Sequence, residues 1–249
     1  MKRLLLGLGL SAALSMATAA TATADPFAGP PICPKAGTPI TGVHGSTTIS
    51  GNRYVPDGRT LTVYGSLTLA PGACLDAFTL GTVHVTGTLL AQRDSILALG
   101  CTPGSIGPGP PCNGETTSDT VGGGIVGNHP YTMYLDGDTI WGGINDEGAG
   151  PGPVLSPYVN FPIKDNVIYG NVLLDRWKGA WFGFIRNRTY GSVTITNNAG
   201  ADPDADEVVS NTISGNLMCL NNYPAPQFGD SGGTPDIVGG LNIGQCAGL

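Results

Sequence analysis

The chain has 249 residues, with 40 Gly and only 12% charged side chains. Acidic residues outnumber basic ones 18 to 11. That balance argues against nucleic acid and anionic membrane as partners, because phosphate binding needs a surplus of cations.

The first 24 residues read as a secretion signal. Lys2 and Arg3 form a charged start, Leu4 to Leu14 is an apolar run too short to span a bilayer, and Ala22-Thr23-Ala24 fits small-x-small cleavage. The expected mature chain begins at Asp25 and runs to 249 as one domain, exported and without membrane insertion. Loss of the leader leaves 9 basic residues against 18 acidic ones, a net charge of −9. All six cysteines follow it, and an even count in an exported chain reads as disulfides. Spacing leaves the pairing open. The nearest-neighbour choice is Cys33–Cys74, Cys101–Cys112 and Cys219–Cys246.

A short phrase then recurs nine times, roughly Asn/Asp-x-aliphatic or Thr-x-Gly-x-small or aliphatic, the first three copies being weaker and opening on Thr41, Leu61 and Val83. It starts at residues 41, 61, 83, 119, 138, 166, 187, 211 and 236. Clear copies are NVIYGNVLL from Asn166 and NTISGNLMC from Asn211. Repetition at this spacing, with apolar residues at alternate positions such as Ile168, Val172 and Leu174, predicts one coil of a parallel β-solenoid per copy. The phrase glycine is expected at the bend between strands, where it tolerates positive φ. Asn166, Asn187 and Asn211 are expected to stack as a hydrogen-bonding ladder, and Asn198 and Asn222 suggest a second one. The segments 100–116 and 147–163 are rich in Pro and Gly and read as excursions from the coil. No stretch of the mature chain shows capped helical periodicity.

Departures from the phrase are the candidate sites. Asp119 and Asp138 share a repeat position, as do Glu147 and Asp175, and paired carboxylates are what a glycosidase needs. Lying in the ladder position, the first pair also fits a structural role. The segment 175–188, DRWKGAWFGFIRNR, concentrates aromatics and cations. Trp177 and Trp181 flanked by Arg176 and Lys178 suit sugar rings or acidic glycans through stacking and charge-assisted hydrogen bonds. The alternative is that its aromatics fill the core. Asp202, Asp204 and Asp206 lie at alternate positions in an acidic loop, a pattern that can converge on Ca²⁺ although it fails the EF-hand rule. GDSGG at 229–233 matches the nucleophile segment of trypsin-like proteases and nominates Ser231. That chemistry needs a His base and an orienting Asp. His44 and His84 sit in repeat positions, and only 18 residues follow Ser231.

NVIYGN, NTISGN and their relatives resemble the parallel β-helix repeats of pectate-lyase-like and related carbohydrate-acting proteins. The closing 39 residues, from Asn211, resemble the end of a group of secreted actinobacterial proteins described as hyalin-like. These resemblances imply an all-β fold, a single-stranded right-handed parallel β-helix of about nine to ten coils, and export; they leave the chemistry open. The expected role is binding or structural, at the cell envelope or in the extracellular matrix, towards carbohydrate or an envelope polymer. The expected state is a monomer with no cofactor other than Ca²⁺. A polysaccharide lyase or glycoside hydrolase is the alternative, and a serine hydrolase using Ser231 the remote one.

Overall fold

The computed structural model describes residues 33, 37–78, 80–102, 116–150, 159–230 and 232–249. These residues form a parallel β-helix with three long sheets and no helix. The first sheet has eight strands, from Thr38–Pro39 to Glu207–Val209. The second has nine, from Gly42–His44 to Ile237–Val238, and the third nine, from Thr47–Ile49 to Asn242–Gly244. Successive coils visit the sheets in that order, and every pairing within them is between parallel strands one coil apart. Among the described residues, eight coils therefore carry all three strands and a ninth carries two, in keeping with the nine copies of the phrase. Each copy of the phrase coincides with a strand of the second sheet and runs on into the third.

Alternation puts one residue in two inside the coil. Val85, Val121, Ile140, Ile168, Thr189 and Ile213 stack as an inward column of the second sheet. Leu97, Met133, Phe161 and Phe182 do the same in the first. The excursions expected at 100–116 and 147–163 fall mostly outside the described residues. Two of the three expected disulfides are present, Cys33–Cys74 with Cα atoms 5.8 Å apart and Cys219–Cys246 with 5.3 Å. Cys112, the expected partner of Cys101, lies outside the described residues, as do the leader and Ser231. No helix among the described residues is long and apolar enough to cross a membrane.

The three corners are held in different ways. Between the first and second sheets runs a ladder of Asp119, Asp138, Asn166, Asn187, Asn211 and Asp236, in which each residue's backbone N–H donates to the side-chain oxygen of the next. The Asn amides donate back to strand carbonyls, Asn187 Nδ2 to Ile163 O at 2.8 Å and Asn211 Nδ2 to Phe184 O at 2.7 Å. Between the third and first sheets Asn198, Asn222 and Gln245 form the second ladder. The residue before a ladder position takes the left-handed turn: Asp165, Arg186 and Ser210 at one corner, Arg176, Asn197 and Asn221 at the other, with φ between 55° and 61°.

The third corner, between the second and third sheets, corrects the expectation for the phrase glycine. Of the nine phrase glycines only Gly65 has positive φ. What the seven from Gly87 to Gly240 share is close approach of the neighbouring coil's backbone. A Cβ on Gly170 would stand 2.6 Å from the Gly142 carbonyl oxygen, and one on Gly191 2.5 Å from that of Gly170. Backbone hydrogen bonds such as Gly215 N–H to Gly191 O, 3.0 Å, close the same gap.

Replacing Asn187 with Ala removes the acceptor for the Asn166 N–H and the donor to Ile163 O, both buried. Unpartnered buried polar groups cost about 1–3 kcal/mol each, so Asn187→Ala is expected to destabilise by about 3 kcal/mol in urea unfolding. Asn145→Ala, on an exposed outward position, is expected to stay within ~0.5 kcal/mol.

Candidate functional site

The outward residue just before each phrase glycine forms a column of its own. It reads Gly122, Trp141, Tyr169, Tyr190 and Ser214 in five successive coils. The three aromatic rings stack face to face. The Trp141 and Tyr169 centroids are 4.2 Å apart with planes 4° apart, and Tyr169 and Tyr190 are 4.9 Å apart with planes 6° apart. They are 54%, 40% and 46% exposed, so the stack stands on the surface and not in the core. Tyr169 is covered on both faces by its neighbours. Trp141 keeps one face open, because the next coil presents Gly122 there: Trp141 N–H bonds to Val121 O at 2.9 Å.

Polar groups surround that open face. Thr120 lies two residues before Gly122 on the same outer surface, and its hydroxyl is 2.8 Å from His84 Nδ1. A shallow depression of about 170 Å³ beside Trp141 is lined by Gly123, Gly124, Gly142, Gly143, Asn145 and Asn171. At the other end of the stack Arg188 is exposed, two residues before Tyr190 on the same face. The arrangement offers an apolar plate, hydroxyl and amide groups at its rim, and one cation.

The sequence-derived candidates are dispersed by comparison. Trp177 is fully buried and packs on Phe161 and Phe182, with ring centroids 6.2 and 5.9 Å away. This corrects its expected role: it turns inward at the corner to fill the lumen and has no face to offer a ligand. Phe182 and Phe184 are likewise core. Trp181 lies on the outer surface of the first sheet, folded over Gly183, where a Cβ would stand 2.6 Å from its Cζ2. Arg176 is engaged by Glu147 and Asp175. Lys178 lies in the two-stranded sheet with Ala199–Gly200 and is half-buried.

Glu147 and Asp175 do stand in register on adjacent coils. Both bind Arg176, and Asp175 also accepts from Thr196 Oγ1 and Asn197 Nδ2. They are structural partners. Asp119 and Asp138 are buried rungs out of reach of a polymer. Burial pushes both carboxyls upward, and the charge of Asp119 pushes Asp138 further. Asp119 accepts backbone N–H bonds from Val83 and Gly100, which favour its charged form, whereas Asp138 Oδ2 has no partner. Of the two, Asp138 is pushed further towards its protonated form. A third inward acid, Asp146, fills the space left by Gly127, and burial raises it well above the ordinary range.

The expected calcium ligands separate as well. Asp202 accepts the Asp204 N–H and so shapes its own turn. Asp206 is buried, and its carboxyl is pushed up to about 8 by that burial. Only Asp204 joins a cluster, with Glu207 and Asp230. Burial pushes Glu207 up to about 7, with the Trp181 indole N–H opposing and the charges of Asp230 and Asp204 adding to the shift. His44 bonds to Thr41 O and His129 to Asn128 within their own turns, and His84 to Thr120 on the adjacent coil. Comparison with known proteins gives no match, whether to a protein-family model, a curated protein or a solved structure.

The aromatic column was open to sequence reading. IWGG, IYGN and TYGS place Trp or Tyr at the same phrase position in three consecutive copies. The signal lies across copies, whereas the aromatic-basic segment was found along one.

The upward shift of Asp138 has a consequence for pH. Below the ordinary carboxylate value, folded and unfolded chains both hold its proton. As pH rises from there towards the raised folded value, the unfolded chain ionises and the folded one does not, so stability falls. Asp138→Asn removes that loss. The variant is expected to melt higher than wild type at pH 8 and close to it at pH 4, by circular dichroism; a lower Tm at pH 8 would show that the rung is charged.

Proposed function

We propose that this chain is an exported binding protein of the cell envelope or extracellular matrix, and that its ligand is a polysaccharide engaged at the Trp141–Tyr169–Tyr190 column. The observation that carries the reading is the open indole face of Trp141, seated over the side-chain-free Gly122 and continued by two stacked tyrosines. A pyranose ring has a face of C–H groups and a rim of hydroxyls. The face matches an aromatic plate, and the rim matches Thr120, His84 and Asn145.

The shallow depression suits an extended polymer better than a small molecule, whose pockets usually enclose about 300 Å³ or more. Arg188 adds affinity for acidic sugars through charge-assisted hydrogen bonds. Export is supported by the N-terminal Lys2, Arg3 and apolar run, and by two disulfides, which persist in oxidising compartments. The resemblance to carbohydrate-acting β-helix repeats agrees with it. Hydrolysis has weaker support, because the paired acids serve as ladder rungs or ion-pair partners.

The test is a glycan array followed by calorimetry on the best polysaccharide, with a parallel assay for reducing-end release. Trp141→Ala is expected to weaken binding about 30-fold, the ~2 kcal/mol of a central aromatic contact. Trp181→Ala is expected to change it little. Undiminished binding in Trp141→Ala, or release of reducing ends by wild type, would overturn the reading.

A further inference from the structure

At the end of the first sheet the stack becomes irregular. The strand Glu207–Val209 is the last of that sheet, and among the described residues the following coil pairs with it through a single bridge, Glu207 to Gln227. Gln227 Nε2 ties the same coil to Pro203 O and Ala205 O, 3.0 Å each. Three carboxylates meet at this join. One oxygen from each of Asp204, Glu207 and Asp230 lies within 4.8 Å of the other two. Asp204 and Asp230 are drawn together further by the Asp230 N–H, which donates to Asp204 Oδ2 at 2.9 Å.

Glu207 is the unusual member. It pairs in register with Gly183, over which the Trp181 ring is folded, and it is 0% exposed. Gly229 closes the other side: a Cβ there would stand 2.5 Å from the Glu207 Cδ. Both Glu207 oxygens are buried and without a hydrogen-bond partner. The Trp181 indole N–H and the Asp230 carboxylate lie beside them outside bonding geometry. A buried carboxylate is stable only when paired or coordinated. Its two nearest charged neighbours here are acids, so the partner its charged form lacks is a cation.

We propose that Asp204, Glu207 and Asp230 bind a hard divalent cation of the Ca²⁺ class, which clasps the last two coils where strand pairing gives out. The donor set is all oxygen, the preference of Ca²⁺ over softer metals. Ca–O distances of about 2.3–2.6 Å put oxygens on one ion at most ~5 Å apart, and the three here satisfy that limit. Glu207 supplies the buried floor, half-buried Asp204 the wall, and exposed Asp230 the rim from the next coil. Water completes the shell from the open side. The GDSGG segment thereby gains a role distinct from nucleophilic catalysis: Gly229 makes room for the floor and Asp230 is a ligand. The site is independent of the aromatic column, on a different sheet.

The experiment uses the mature chain after dialysis against EDTA. Tb³⁺ serves as the probe, because Trp181 beside Glu207 can sensitise its luminescence. Saturable emission excited through tryptophan is expected, displaced by Ca²⁺ and at least tenfold less readily by Mg²⁺. Asp230→Asn and Glu207→Gln are each expected to weaken Tb³⁺ and Ca²⁺ binding at least tenfold. Asp202→Asn is expected to bind as wild type. Ca²⁺ should also raise the Tm of wild type and not of Asp230→Asn. If Glu207→Gln fails to fold, the exposed Asp230 variant still decides. Absence of saturable emission together with no calorimetric heat up to about 10 mM Ca²⁺, well above the weak extracellular range, would overturn the proposal. So would wild-type affinity in Asp230→Asn.

Discussion

The hydrogen bond from a corner backbone N–H to the side-chain oxygen of the next coil is the constraint on which the rest depends. At each ladder corner the chain turns through a left-handed residue, which for L side chains costs about 1–2 kcal/mol. The turn leaves the following N–H buried and directed along the axis. Only a short side chain with an oxygen, one coil further on, can reach it. Asn166 is therefore satisfied by Asn187, and Asn187 by Asn211. No coil completes its own corner. Stability passes from neighbour to neighbour, as in other repeat architectures, and the last rungs, Asp236 and Gln245, need only offer acceptors.

That rule also explains why acids occupy part of the ladder without making an active site. An Asp carboxylate serves as well as an Asn carbonyl in accepting an N–H, and Asp119 accepts two. It has nothing to donate unless it keeps a proton. Next to a second acid in a dry corner, Asp138 is pushed towards keeping one for the reasons that would suit a catalytic acid: desolvation and a like charge nearby. A raised carboxyl in this fold is thus evidence about the ladder before it is evidence about chemistry. Accessibility separates the two, and Asp138 is about 1% exposed.

Much of the scaffold was legible because the repeat writes it nine times. The positions of the strands in the second and third sheets, the inward aliphatics and both ladders follow from the phrase. The position of the glycine is legible and its cause is not: that cause is a neighbouring coil, 19 to 36 residues away in sequence, which no local rule for φ contains. Trp177 departs from its expected role for the same reason. Trp177 and Trp181 are four residues apart, yet one turns into the lumen and the other lies on the outer surface. Trp141, Tyr169 and Tyr190 are 28 and 21 residues apart and touch. Asp204 and Asp230 meet across one coil, whereas Asp202 and Asp206, two residues from Asp204, do not join them. In a solenoid, proximity runs down the columns.

Columns also indicate where function is to be sought. An inward column is constrained to be apolar and a corner column to be Asn, Asp or Gly, and both stay near one residue type along the axis. An outward column is free to change. The column of Trp141 changes sharply, from Gly122 to three aromatic rings to Ser214. Stacking accounts for contact among the rings. It does not account for an indole, the largest plate available, at the end where its outer face has no rung to cover it. A ladder serving stability alone gains nothing from a bare terminal ring in water, since the exposed face is unburied apolar area. With Gly122 as the next rung, that face stays open.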